Sequence, residues 1–95
     1  MQQYRIKDSD LEDVVDRLNK FFGFPERPWV DGKAQIGNLH ITGAYGKVKL
    51  VQMIDEGGSI TNMTDFASKR ELLGYLENMF KGAALERRNR QMNEN

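Results

Sequence analysis

Few residues in this sequence have the chemistry of a catalytic or metal site. His40 is the only histidine among the 95 residues, and cysteine is absent, which excludes disulfides, thiolate nucleophiles and zinc–thiolate sites. No carboxylate stands at a recognisable ligand spacing from His40, and neither a nucleophile nor an orienting partner accompanies it. The sequence therefore predicts a protein that is not an enzyme and that uses no metal and no cofactor.

His40 belongs to a polar row on a predicted strand. Asn38, His40 and Thr42 alternate with apolar residues, so they share one face of that strand. Such a row could recognise a ligand. The simpler alternative is that His40 is a half-exposed strand residue whose ring nitrogens bond to a neighbour.

Four cations and one aromatic residue come closest to a basic patch. Lys47 and Lys49 alternate on a predicted strand, Lys69 and Arg70 open a predicted helix, and Tyr45 precedes the lysines. An exposed tyrosine ring can stack on a base while cations hold phosphates. These residues favour two hypotheses, namely nucleic-acid binding and an oligomer that sequesters a nucleotide signal.

The overall charge argues against nucleic acid as the ligand. Fourteen Lys and Arg residues balance fourteen Asp and Glu residues, whereas phosphate neutralisation supplies most of the affinity for nucleic acids. The predicted element order, α-β-β-β-α with basic residues opening the last helix, is nevertheless that of a double-stranded RNA-binding domain. Nucleic-acid binding therefore remains an alternative.

Two amphipathic helices are predicted near the ends of the chain. Ser9 and Glu12 have capping-box spacing at the start of the first, and Ser68 and Glu71 repeat it at the start of the second. Gly23 and Gly82 are expected to end them. The first apolar stripe comprises Leu11, Val14, Val15, Leu18 and Phe22, and the second comprises Leu72, Leu73, Leu76, Met79, Phe80 and Ala83.

The chain from 35 to 63 follows a period of two, which predicts three antiparallel strands joined by glycine-rich turns. On the second strand, Val48 and Leu50 face the helices, while Lys49, Val51 and Met53 face the other way. Val51 and Met53 are therefore expected to be exposed. Exposed apolar residues on a sheet indicate a surface for a partner or for a second copy.

The predicted fold is α+β, with two helices packed on one face of a three-stranded antiparallel meander. Residues 1–82 are expected to form one domain, with a short extra strand at Tyr4 and Ile6, and 83–95 to form a polar tail that is a frayed helix or disordered. Residues 24–29, with two prolines, are predicted to be a loop, and its PxxP spacing is an alternative docking motif. Neither a membrane span nor a signal peptide is predicted.

Several short blocks occur in an order that resembles a known family. They are Gly37-Asn38-Leu39-His40-Ile41, Gly43-Ala44-Tyr45-Gly46, Met53, Glu56-Gly57-Gly58 and Lys69-Arg70-Glu71-Leu72. Together they are similar to a group of small uncharacterised proteins encoded by tailed bacteriophages and prophages. The resemblance implies a phage product in the cytoplasm of an infected bacterium, where small accessory proteins bind host enzymes or counter defence systems.

Combining the resemblance with the residue patterns, we expect a non-enzymatic protein that binds a host or anti-phage defence protein and is able to form a homodimer. The contact is predicted to lie on the outer sheet face and its turns. The candidate binding residues are Asn38, His40, Tyr45, Lys47, Lys49, Val51, Met53, Lys69 and Arg70.

Overall fold

The structure, a computed structural model, describes residues 5–93 and confirms the α+β class. Two helices accompany a two-stranded and a three-stranded antiparallel sheet. Within this part of the chain, neither helix is long and apolar enough to cross a membrane. The elements are α1 (Asp8–Phe22), β1 (Trp29–Val30), β2 (Lys33–Ala34), β3 (Leu39–Ala44), β4 (Lys47–Met53), β5 (Ile60–Asn62) and α2 (Lys69–Asn93).

Helix α1 begins one residue before the predicted cap at Ser9. The N-cap is Lys7, whose backbone N–H donates to the Asp10 carboxylate at 2.7 Å. The prediction of Ser9 as the cap is wrong because an acidic residue three positions after Lys7 receives this N–H instead. Gly23 ends the helix as predicted, with a left-handed φ of 73°.

The main sheet is the predicted meander, in the order β3-β4-β5. Strands β3 and β4 pair from Leu39 with Gln52 to Ala44 with Lys47. Their connection is a two-residue turn in which Tyr45 and Gly46 both have positive φ, 54° and 76°. A turn of this kind matches the twist of the flanking strands.

The helices cover the sheet face that carries Val48 and Leu50, as predicted. Apolar side chains from α1, β3, β4 and α2 pack there in one cluster. Removal of apolar surface from water supplies most of the stabilisation of a small domain. The buried members are Leu11, Val15, Leu18, Leu39, Val48, Leu50, Leu72 and Leu76.

The predicted exposure of Val51 and Met53 on the opposite face is wrong. Their exposed fractions are 0% and 2%, so neither side chain is available to a partner. Each lies on the face away from Leu50, outside the main cluster. Both faces of β4 are therefore internal at this end of the sheet.

A short hairpin, β1–β2, supplies a second layer at this end of the molecule. This hairpin contacts the turn between β4 and β5. The Ala34 N–H donates to the carbonyl of Glu56 in that turn at 3.2 Å, and the Trp29 ring lies against Gly58. Ala34 itself is 3% exposed. The predicted loop at 24–29 therefore ends in a short strand, because Trp29 is the first residue of β1.

Helix α2 begins with the predicted capping box and continues well beyond the predicted stop. The Glu71 N–H donates to the Ser68 hydroxyl at 3.1 Å, and the Ser68 N–H lies 3.4 Å from the Glu71 carboxylate. Gly82 does not end the helix, because it does not adopt the positive φ of a terminating glycine and is followed by good helix formers. The tail is helical to Asn93.

The expected extra strand at the N-terminus is not found at Ile6, which belongs to no strand. Tyr4 lies outside the described residues. The buried core is built from α1, β3, β4 and α2.

Candidate functional site

The predicted binding residues do not form one surface. Tyr45, Lys47 and Lys69 come together with Asp8 around the β3–β4 turn, in a shallow and open depression. Tyr45 is fully exposed at the tip of the turn. Val51 and Met53 are buried elsewhere, so the predicted site separates into parts.

Two of the cations near this turn are already engaged. The Lys69 ammonium lies 2.9 Å from the Asp8 carboxylate, and the Lys49 ammonium lies 4.4 Å from the centre of the Phe66 ring. A cation that is held by an internal partner is less available to a phosphate.

Lys47 also faces a carboxylate. Hydrogen bonds from Ser68 hold the pKa of Glu71 below its ordinary value, and the positive charge of Lys47 lowers that pKa further. Lys47 therefore lies within electrostatic reach of Glu71. Arg70 is exposed beside them at the start of α2. The predicted basic patch is thus interleaved with acidic groups.

Asn38 is a structural residue rather than an exposed recognition residue. It is 1% exposed, its amide donates to the Pro25 carbonyl at 2.8 Å, and its side-chain oxygen lies 3.1 Å from Nδ1 of His40. The expectation of an exposed row is therefore wrong for Asn38. Its contacts hold the 24–28 segment against β3 and orient the imidazole.

A cleft runs across the outer edge of β3, and we call it the β3 cleft. Helix α1 forms one wall and the loop before β1 forms the other, with the strand between them. Its volume is about 220 Å³. The lining residues are Glu12, Val15, Asp16, Glu26, Pro28, Asn38, Leu39, His40 and Ile41.

The strand edge at the floor of this cleft is only partly occupied. The Leu39 N–H donates to Asn19 Oδ1 at 2.9 Å, and the Asn19 amide donates to the Leu39 carbonyl at 3.0 Å. Because backbone groups alternate in an antiparallel strand, those of Ile41 and Gly43 point the same way as those of Leu39, away from β4. No described residue bonds to Ile41 or Gly43 on that side.

The β3 cleft is acidic. Glu12 and Asp16 lie on α1 and Glu26 on the opposite wall, and none of the described Lys and Arg residues lines the cleft. His40 is the lining group whose ordinary pKa is closest to neutrality, and burial lowers the pKa of His40. Between residues 5 and 93, no cluster of His, Asp and Glu could hold a metal ion. This chemistry suits a cationic ligand with free backbone groups.

Sequence reasoning found His40 but missed the acidic groups and Asn19. The spacing of four residues does place Glu12 and Asp16 on one side of α1. Which strand edge they flank depends on how α1 packs across β3, and that contact is long-range. Without knowledge of this packing contact, the acidic side of α1 is indistinguishable from ordinary solvated surface.

Comparisons with known proteins add no relative. The chain matches no family model, no curated protein and no solved structure.

Proposed function

We propose that this is a small phage-encoded accessory protein that acts without catalysis, by binding one host or anti-phage defence protein through the β3 cleft. The phage origin and the site of action, the cytoplasm of the infected bacterium, rest on the sequence blocks that resemble tailed-phage proteins. The observation that carries the binding role is the open edge of β3, which lies in the acidic cleft at Ile41 and continues beyond the cleft to Gly43. Unpaired strand edges are ready-made sites for another chain.

The charges favour a protein partner over a nucleic acid. Carboxylates on both walls of the cleft repel phosphates, and Lys69 is paired with Asp8 near the turn. The fully exposed Tyr45 supports a second candidate, in which the turn binds a nucleotide by stacking. In that case a nucleotide would raise the melting temperature of the protein.

Affinity purification from infected cells tests the proposal. The tagged wild-type protein is compared with a cleft variant carrying Glu12→Gln and Asp16→Asn, and with Asp13→Asn, an exposed change on the same helix outside the cleft. We expect one stoichiometric host protein with the wild type and with Asp13→Asn, and its loss with the cleft variant. Recovery of the wild type alone, as a monomer by light scattering, contradicts the proposal.

A further inference from the structure

We infer that the β3 cleft takes an extended, positively charged segment of its partner, which adds a strand along the edge of β3. This inference rests on the proposed function and specifies the chemistry of the partner segment. Strand addition needs a row of unpaired backbone groups on an exposed edge. Ile41 and Gly43 offer both an N–H and a carbonyl on the outer side of β3.

Both ends of the available edge are defined by the fold. At one end the Asn19 side chain already occupies the backbone of Leu39, as an added strand would. At the other end the chain turns away at Tyr45 and Gly46. The partner segment therefore pairs along Ile41–Gly43, and its flanking residues lie over the cleft.

Side chains of the added strand would meet acidic groups on both faces. Successive side chains of a strand point to opposite faces. One face of the added strand would lie towards Glu12 and Asp16 on α1, and the other towards Glu26 and His40. Lys or Arg at these positions can place an aliphatic stem against Val15 and a charged end near the carboxylates.

A second copy of this chain is a poorer occupant than a basic segment. Pairing β3 with its symmetry-related copy would place two α1 helices side by side across the axis, with Glu12 and Asp16 of each facing the same groups of the other. Like charges at short range repel. The dimer predicted from the sequence is therefore not expected to use this edge.

The inference can be tested with synthetic peptides and amide hydrogen exchange. The probe is the capped hexapeptide Val-Lys-Arg-Val-Lys-Arg, which presents cations on both faces of a strand. One control replaces its cationic residues by glutamate, and another keeps its side chains but carries N-methyl groups on alternate amides. We expect the basic probe to slow exchange of the Ile41 and Gly43 amides at least about tenfold, because both N–H groups gain acceptors.

The controls separate backbone pairing from charge attraction. We expect no protection from the glutamate probe, and affinity at least about tenfold lower for the methylated probe. The combined change Glu12→Gln, Asp16→Asn and Glu26→Gln should weaken binding of the basic probe, whereas Asp13→Asn should not. Raising the salt concentration should weaken it further.

Several outcomes would overturn the inference. They are equal binding of the glutamate probe, absence of protection at Ile41 and Gly43 with the basic probe, and protection that rises with protein concentration when no peptide is present, which would indicate a second copy. The two proposals fail separately. A host protein captured through the cleft acids without edge protection defeats the inference alone, whereas edge protection without a host partner defeats the proposed function.

Discussion

At the scale of single residues, the Asn19 side chain makes the pair of backbone hydrogen bonds to Leu39 that a neighbouring strand would otherwise make. Its amide group both accepts from and donates to the backbone of Leu39, at 2.9 and 3.0 Å. It is 1% exposed, as is Asn38, which bonds to Pro25. Buried amides of this kind are retained because their partners would otherwise be left unpaired.

Replacing Asn19 should therefore be costly. We expect Asn19→Ala to lower the free energy of unfolding by about 2 kcal/mol or more, because the Leu39 N–H and carbonyl lose their partners and a cavity forms. Urea denaturation measures the change. Asn78→Ala on the exposed side of α2 is the matched control and should stay within about 0.5 kcal/mol. Equal effects of the two changes would refute the assigned role of Asn19.

Gly58 is held by the Trp29 ring. A Cβ built at Gly58 would lie 2.7 Å from a ring carbon of Trp29, and φ there is +99°. We expect Gly58→Ala to lower the free energy of unfolding by about 1–3 kcal/mol, because the added methyl group clashes with the Trp29 ring and the backbone is strained at this φ. Gly74→Ala inside α2 is the control, because a Cβ built there has no atom within 4 Å. This change should raise the free energy of unfolding by about 0.5–1 kcal/mol. Thermal unfolding distinguishes the two, and stabilisation by Gly58→Ala would show that the hairpin does not pack as described.

His40 should make stability depend on pH near neutrality. Partial burial lowers the pKa of His40 in the folded protein, so the unfolded chain binds the proton more readily. The part of the free energy of unfolding that depends on neutral His40 is fully present above the pKa of the unfolded chain, about 6.5. It is lost as the pH falls through the lower pKa of the folded protein. We expect His40→Gln to remove this part of the pH dependence, as measured by urea denaturation at several pH values. Identical profiles for the two proteins would contradict it.

At the scale of elements, local patterns predicted the meander but not its surroundings. The period of two around Val48 and Leu50 and the glycine-containing turn at Gly46 are local signals, and both are confirmed. The burial of Val51 and Met53 shows that the opposite face is covered as well, and the β1–β2 hairpin reaches this end of the sheet through the bond from Ala34 to Glu56. Alternation shows which residues share a face and leaves open what covers that face.

Helix α2 shows the same limit at the other end of the chain. Its last turns carry no apolar stripe, so periodicity predicts only a frayed helix or a disordered tail over 83–95. Arg87 donates to the Phe21 carbonyl at 2.7 Å, and its guanidinium lies 3.7 Å from the centre of the Phe21 ring. Arg87 thus ties this part of α2 to the end of α1.

Removing this contact should loosen the end of α2. We expect Arg87→Ala to cost about 1–2 kcal/mol, because it removes a cation–π contact and a hydrogen bond to a backbone carbonyl. Arg88→Ala changes the same charge at the next position and is expected to cost less than about 0.5 kcal/mol. Amide exchange in α2 should be faster in the first variant only. If both variants behave alike, the contact does not hold the helix in solution.

At the scale of the whole molecule, a net charge of zero conceals an uneven distribution. Among the described residues, the walls of the β3 cleft carry Glu12, Asp16 and Glu26 and no cation, whereas the turn between β3 and β4 lies near Lys47 and Lys69. Composition alone gives the sum of these charges, and only the packing of α1 across β3 shows where each sign lies. The sequence patterns therefore do not predict the acidic cleft.

The same distribution predicts the behaviour of the protein towards double-stranded RNA. Lys69 is paired with Asp8, and Lys49 lies over Phe66, so two cations of the predicted patch are held by partners within the protein. Binding through phosphates strengthens steeply as salt falls. We therefore expect no gel shift of a 20-base-pair RNA at about 200 mM salt or at about 50 mM salt. A shift that grows at the lower concentration and is lost in a Lys47→Ala, Lys69→Ala variant would instead assign the turn to nucleic-acid binding, since only direct phosphate contacts would give both results.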